Sequence, residues 1–283
     1  MSRCDEARSE DSEVLKINGS VIRHGKYSDR IYLMKLAPDS VEEVLSKLTQ
    51  LAKENEYGKL FAKVPGSQAE RFKQDGFLVE ATIPKFYQGR EAVLFMSKFL
   101  KVERASEQNV QTVEKNLVLA KQKVGQGKAD KDLAIQEATP AEAEEMAKAY
   151  KQVFASYPFP IFDPEYLIET MKSHIRYFFI KKDGKIIAIA SAEMDREGQN
   201  VEMTDFATLP EYRGHGLAVS LLSKMEQKMK EEGLLASFTI ARSLSAGINI
   251  TFAKLCYSYA GTLVNNTNIS GQIESMNVWY KEI

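Results

Sequence analysis

The residues best placed to do chemistry are Arg213-Gly214-His215-Gly216-Leu217-Ala218, which stand between an apolar strand pattern and an amphipathic helix pattern. In that helix Leu217, Leu221, Leu222, Met225 and Met229 fall on one face, and Lys224, Gln227, Lys228 and Glu231 fall on the other. The first turn of such a helix offers N–H groups with no intrahelical partner and the positive end of the helix dipole. Glycine at 214 and 216 removes the side chains that would hold a ligand off that backbone, so a pyrophosphate can be cradled there. Arg213 adds a fixed positive charge. A helix start with two glycines and no ligand is the plain alternative, and two glycines alone would favour it.

The chain that must position this turn has 283 residues, enough for two compact units or one large domain. Hydrophobic residues at 44% and charged residues at 27% suit a soluble protein with a proper core. Thirty-eight basic residues against 39 acidic ones give a net charge of −1, which argues against nucleic acid or an anionic membrane as the main partner. The two cysteines, Cys4 and Cys256, suggest no disulfide framework, and the scattered His24, His174 and His215 suggest no metal site. Met1 to Glu13 is polar and acidic, unlike a signal peptide, and no run approaches a membrane span, so a cytoplasmic location is expected.

Four segments are expected: a polar tail over 1–18, a small α+β unit over 19–100, a helix and exposed linker over 101–131, and a larger unit over 132–283. In the first unit, strands at Ser20-Val21-Ile22 and Arg30 to Met34 precede a helix with Val41, Val44, Leu45, Leu48 and Leu51 at helical spacing. A strand at Lys59 to Val64, a helix to Gln74 and a strand at Gly76 to Ala81 follow. In the larger unit, Thr139-Pro140 caps a helix, and Tyr177 to Ile180 and Ile186 to Ala190 flank the hairpin signal Lys182-Asp183-Gly184. Val201 to Leu209 is a strand, Glu211 to Gly233 a helix, Leu234 to Ala241 a strand, and a short helix near Asn249 leads into a closing pair of strands. The fold class is therefore α+β, with an antiparallel run, then strand–helix–strand, then a hairpin.

Arg213, Gly216 and Ala218 resemble the acetyl-CoA signature Arg/Gln-x-x-Gly-x-Gly/Ala of the GNAT superfamily of N-acetyltransferases, and Asn249-x-x-Phe252-Ala253-Lys254-Leu255-Cys256-Tyr257 resembles that family's next helix. The resemblance covers roughly Leu133 to Ile283 and implies a mixed, mostly antiparallel sheet flanked by helices. It implies that the backbone of Phe206, Ala207 and Thr208 binds pantetheine beside a bulge that splays the strand. It places Arg213, Gly214, His215, Gly216, Leu217 and Ala218 on the coenzyme, with Asn249 near the pantetheine or the adjacent backbone and Phe252 nearby. Phe252 holds the position where many relatives carry a tyrosine that protonates the departing thiolate, so Tyr257 or Tyr259, water or the substrate must substitute. The chemistry is direct attack by an amine, which wants a base. Glu202 is the candidate, with Asp205 as a substrate or structural carboxylate; three apart, they point to opposite faces if the strand is regular.

A longer similarity runs nearly end to end. Ser20-Val21-Ile22-Arg23-His24-Gly25-Lys26, Ile83-Pro84-Lys85-Phe86-Tyr87-Gln88-Gly89, Gly261 to Ile269 and Ile273 to Lys281 resemble the beta-lysine N-acetyltransferases. That resemblance implies acetyl transfer to the N6 amine of beta-lysine, downstream of a lysine 2,3-aminomutase. Such an acceptor has one carboxylate and two ammonium groups, so its site should offer an arginine or backbone donors and some carboxylates. Candidates are Arg176, Arg242, Asn265, Asn266, Glu274 and the aromatic loop with Tyr157 and Phe159. The two arginines also suit surface charges, and Asn265-Asn266-Thr267-Asn268 suits a hairpin turn by composition. Phe72-Lys73-Gln74-Asp75-Gly76-Phe77 mimics the closing half of a GNAT domain without a preceding glycine signature, so the N-terminal unit is a degenerate GNAT-like half that packs on the catalytic unit, or an inert folding domain, or a dimer-forming one. A peptide acetyltransferase and a non-catalytic acyl-CoA-binding protein are the competing functions.

Overall fold

Residues 12–283 are described by the computed structural model. The N-terminal half opens with three antiparallel strands, β1 (Ser12–Ile17), β2 (Ser20–Gly25) and β3 (Arg30–Lys35). Helix α1 (Val41–Asn55) then crosses to β4 (Lys59–Pro65), which lies parallel to β3. Short α2 (Ala69–Gln74) leads to the hairpin of β5 (Leu78–Tyr87) and β6 (Glu91–Phe99). The apolar stripe of α1, Val41, Val44, Leu45, Leu48 and Leu51, is buried against the sheet together with Phe72 and Phe77. Ser12–Ile17 was expected in the polar tail; it is an edge strand because Leu15 and Ile17 pack on that core.

The connecting segment is not hung between units. Its helix α3 (Val110–Lys121) lies on the C-terminal half, with Ala120 in the core there and Asn116 donating to the carbonyl of Ser243 at 3.0 Å. Beyond it the N–H groups of Gly125 and Gly127 reach the carbonyls of Ala253 and Lys254.

In the C-terminal half β7 (Ile135–Glu137) edges the antiparallel run of β8 (Ile175–Lys182), β9 (Lys185–Asp195) and β10 (Asn200–Thr208). Helices α4 (Ala143–Val153) and α5 (Pro164–Lys172) cover one face of that run. Helix α6 (Leu217–Glu231) crosses over the other face to β11 (Ala236–Arg242), parallel to β10. Helix α7 (Ala246–Lys254) and the hairpin of β12 (Ser258–Ile269) and β13 (Gln272–Glu282) close the chain. The β8–β9 hairpin turns on Asp183 and Gly184, both at positive φ, the geometry that the Lys-Asp-Gly run predicts.

Both halves follow one scheme: three antiparallel strands, crossover helix, parallel strand, helix, hairpin. They join where β5 meets β12 at Ala81 and Gly261, giving a 13-stranded sheet. Gly261 has φ +150°, and a Cβ there would overlap the carbonyl oxygen of Glu80. The sheet curls about this joint. Tyr32, Phe61 and Phe95 of the N-terminal half share an apolar cluster with Phe238 of β11 and Val278 of β13. The fully buried Lys59 ammonium reinforces the joint, bonding Glu80 at 2.9 Å and the Val264 carbonyl at 2.6 Å. Among the described residues no helix is long and apolar enough to cross a membrane.

Candidate active site

Strand β10 pairs with β11 only over Asn200–Glu202 against Ala236–Phe238. A bulge then interrupts β10 between Thr204 and Ala207, with Asp205 at φ 53°. Strand β11 stays paired to β13 as far as Arg242, so the two parallel strands diverge. A cleft of about 560 Å³ fills the gap, lined by Thr204, Asp205, Phe206 and Thr208 on one side and by Thr239, Ile240, Ala241 and Arg242 on the other. The strand edges facing the gap carry peptide groups that an extended ligand with its own amides can pair with.

The glycine turn closes one end of this cleft. Arg213 is extended and its Nε donates to the carbonyl of Thr208 at 3.2 Å, tying the turn to the strand. Gly214 and Gly216 follow at φ 84° and 75°, and a Cβ at either would meet no protein atom within 4 Å. Glycine is therefore favoured by the left-handed backbone, and the space beside it, on the cleft wall, is open. The N–H groups of Gly214, His215 and Gly216 reach no acceptor among the described residues. They stand at the start of the 15-residue α6, where the helix dipole favours an anion. The helix begins at Leu217 rather than Glu211, because two positive-φ residues cannot continue a right-handed helix.

The opposite face of the gap carries carboxylates. Glu202 is in register with Glu193 on β9 and Phe238 on β11, and register partners share a face. Since Phe238 packs on Phe86 and Phe95, Glu202 faces the N-terminal half at the apex of the gap. Burial, followed by the neighbouring Glu193, pushes its carboxyl up to about 8, with Lys63 and the Ile240 N–H opposing. Asp205 was expected on the other face if the strand were regular. The bulge turns it back to the side of Glu202, where it accepts from Tyr157 Oη at 2.5 Å and Ser191 Oγ at 2.6 Å. Burial raises its carboxyl too, against the pull of those two hydroxyls.

Residues 142–246 match the family model described as "Acetyltransferase (GNAT) family". The chain is 43% identical over 95% of its length to the beta-lysine N(6)-acetyltransferase of Methanococcus maripaludis, covering 98% of that protein. The chain belongs to the GNAT acetyltransferase family. A second relative named beta-lysine N(6)-acetyltransferase, from Methanosarcina mazei, is 30% identical over 84% of this chain and 96% of its own. Among solved structures, a GNAT superfamily phosphinothricin acetyltransferase from Sinorhizobium meliloti, in complex with AcCoA, aligns to 53% of this chain and 88% of its own at 14% identity and TM-score 0.48. The chain is an acetyl-CoA-dependent N-acetyltransferase.

Set on this GNAT frame, the expected site residues divide. Phe206, Thr208, Arg213, Gly214, Gly216, Leu217, Ala218, Asp205, Tyr157 and Arg242 line the cleft together. Ala207 turns into the core under α4, and the exposed His215 folds back on the Tyr212 carbonyl. Phe252 lies beneath Phe206, edge-on, and does not line the cleft. Asn249 is fully buried and spent: its amide donates to the carbonyls of Arg242 and Ser245 and accepts from Asn277 and Trp279. Tyr257, expected as a stand-in acid, instead bonds Ser237 at 2.6 Å inside the core, where burial raises its pKa well above normal. Tyr259 bonds Thr262 at 2.5 Å, on β12.

The acceptor candidates are corrected further. Arg242 is held through Nε and Nη2 in a two-pronged pair by the buried Glu274, at 3.0 and 2.6 Å, so the Glu274 carboxylate is committed inside the protein. Arg176 is taken by Glu137 and Glu232 at the surface. The run Asn265 to Asn268 is no turn; it lies within β12, and the turn falls at Ser270 and Gly271. Asn265 caps three carbonyls of the connecting segment, those of Glu103, Arg104 and Ser106, and the Asn266 carbonyl accepts from Arg30. Phe159 carries the Arg23 guanidinium 4.3 Å from its ring centre. The carboxylate face thus meets charged residues that the motifs did not single out: Arg23, Arg30, Lys63 and Glu193. Strand alternation was the available signal, since Arg30 and Tyr32 share one side of β3.

Proposed function

We propose that this enzyme acetylates the N6 amine of beta-lysine, forming N6-acetyl-beta-lysine. The observation that carries the reading is the 43% identity that runs through both halves to a protein of that name. The site supports it. The amine side of the gap is roofed by the N-terminal half and mixes cations with carboxylates, which suits a small zwitterionic amine better than a peptide.

In this reading the coenzyme pyrophosphate lies on the N–H groups of Gly214 to Ala218 beside Arg213, and pantetheine follows the free edge of Phe206 to Thr208. Acetyl-CoA and the amine then meet in the gap from opposite faces of the sheet. Glu202 takes one proton from the substrate ammonium, and the neutral amine attacks the thioester carbonyl carbon. The C–N bond forms and the C–S bond breaks, with its electron pair leaving on sulfur. The second nitrogen proton passes to that sulfur, giving the amide and the coenzyme A thiol. Substrate thus supplies the proton that no tyrosine of the α7 region is placed to give. Asp205 fixes the Tyr157 hydroxyl and the shape of the gap.

The test is release of thiol from acetyl-CoA with a panel of amines: beta-lysine, alpha-lysine, polyamines and a lysine peptide. Preference for beta-lysine supports the reading; preference for another amine replaces the acceptor and leaves the acetyltransfer chemistry.

A further inference from the structure

Arg104 and Arg242 are set against carboxylates, whereas the half-buried Arg30, on the amine side of the gap, has none among the described residues. Arg104 pairs with Asp29 at 3.2 Å and Arg242 with Glu274 at 2.6 Å. Arg30, the first residue of β3, has no carboxylate within ion-pair distance among the described residues. Its Nη1 is anchored, donating to the Asn266 carbonyl at 2.6 Å and to Thr267 Oγ1 at 2.9 Å. Tyr32 and Phe61 flank it, 5.3 and 5.6 Å from the guanidinium carbon to their ring centres. Its Nε and Nη2 make no hydrogen bond among the described residues, which leaves a planar pair of donors unused.

A desolvated cation without a counter-ion is costly, and it is retained where an anion from outside completes it. Burial lowers the Arg30 pKa to about 10, with Tyr32 and Glu202 opposing and the neighbouring Arg104 and Arg23 adding to the fall. An arriving carboxylate would relieve that field. Tyr32, which Arg30 covers, shares an apolar cluster with Phe238, the register partner of Glu202, so the cation and that carboxylate stand on the same side of the sheet.

The geometry points to Arg30 as the anchor for the acceptor's carboxylate, so that the acceptor site is built jointly by the two halves. The N-terminal half is then the specificity element: β3 holds the acid end of the acceptor while β10 holds the amine end. This rests on the beta-lysine reading only in requiring an acceptor with a carboxylate at one end and an amine at the other.

The experiment compares the full-length enzyme with Arg30→Gln and Arg30→Lys, using beta-lysine and the diamine of the same skeleton without its carboxylate. Arg30→Gln should raise KM for beta-lysine by about 30-fold or more, the usual scale for losing one side of a buried charge pair. KM for acetyl-CoA and kcat/KM for the diamine should change little. Arg30→Lys, which keeps the charge and most of the volume, should fall between and decides the matter if Arg30→Gln does not fold. An unchanged beta-lysine KM, or an equal loss on beta-lysine and the diamine, overturns the assignment. If the unaltered enzyme ignores beta-lysine and takes another amine, the acceptor reading fails separately. Arg30 then stands if that amine has a carboxylate and loses affinity selectively in Arg30→Gln, and it falls otherwise.

Discussion

Glu202, the base of the proposed reaction, shows how one side chain acquires a raised pKa from its neighbours. It stands in register with Phe238 on one side and Glu193 on the other, so its charged form is disfavoured and its carboxyl is pushed up to about 8. A raised carboxyl is an active base only where it is ionised; that form dominates above about 8 and is lost as pH falls below it. For wild type, kcat/KM on beta-lysine should therefore rise with pH and level near 8. The break in kcat should come lower, because a bound ammonium favours the carboxylate. Glu202→Gln should cut kcat by about 100-fold, within the range for a removed general base, with KM for acetyl-CoA unchanged. Its profile should keep climbing toward the amine's own pKa, with no break near 8. A variant whose rate and profile match wild type at neutral pH would remove Glu202 from the chemistry. The acidic residues themselves were legible as a pair on one strand. Their shared face was not, because it depends on the left-handed backbone at Asp205, a feature set by packing against Tyr157 and Ser191. Tyr257 misled for a related reason: proximity in sequence to Phe252 carries no information about which side of the core receives the hydroxyl.

At the level of elements, the turn before α6 was the most legible part of the site, since its requirements are local: glycine at positive φ, an arginine, then an amphipathic helix. Gly216→Ala isolates its function. The new methyl meets no protein atom, so the fold bears only the left-handed strain of about 1 kcal/mol, a few degrees of melting temperature. In the proposed reading the methyl points into space that the coenzyme takes, and KM for acetyl-CoA should rise about tenfold or more while the circular dichroism spectrum is kept. An unchanged KM would mean that the coenzyme does not approach this backbone. Strand β12 was legible only in part. Four consecutive polar residues read as a turn by composition, yet Asn265 to Asn268 stay inside the strand, where they bond the backbone of the connecting segment and of the loop before β3. Polar side chains that satisfy another segment's carbonyls cannot be told from turn residues by type alone.

Across the whole molecule, the notable property is that two halves of like topology meet edge to edge and share an apolar cluster, so that one carries the gap between β10 and β11 and the other roofs it. The order of helices and strands was largely readable from periodicity. The joint was not, because pairing between β5 and β12 links residues 180 apart in sequence, Ala81 and Gly261, through a contact that only glycine permits. Gly261→Ala should be severe: the added carbon overlaps the Glu80 carbonyl and the φ is hostile to a side chain, so a loss of about 3 kcal/mol or more is expected in a denaturant melt. A melt within experimental error of wild type would show that the joint tolerates separation. The proposed reaction requires the acetyl group to arrive at one particular nitrogen. That is read most directly by running acetyl-CoA and beta-lysine to completion and locating the new amide by two-dimensional NMR. Acetyl on N6 alone is the predicted result; acetyl on the amine beside the carboxylate, or no acetylated product, would contradict it.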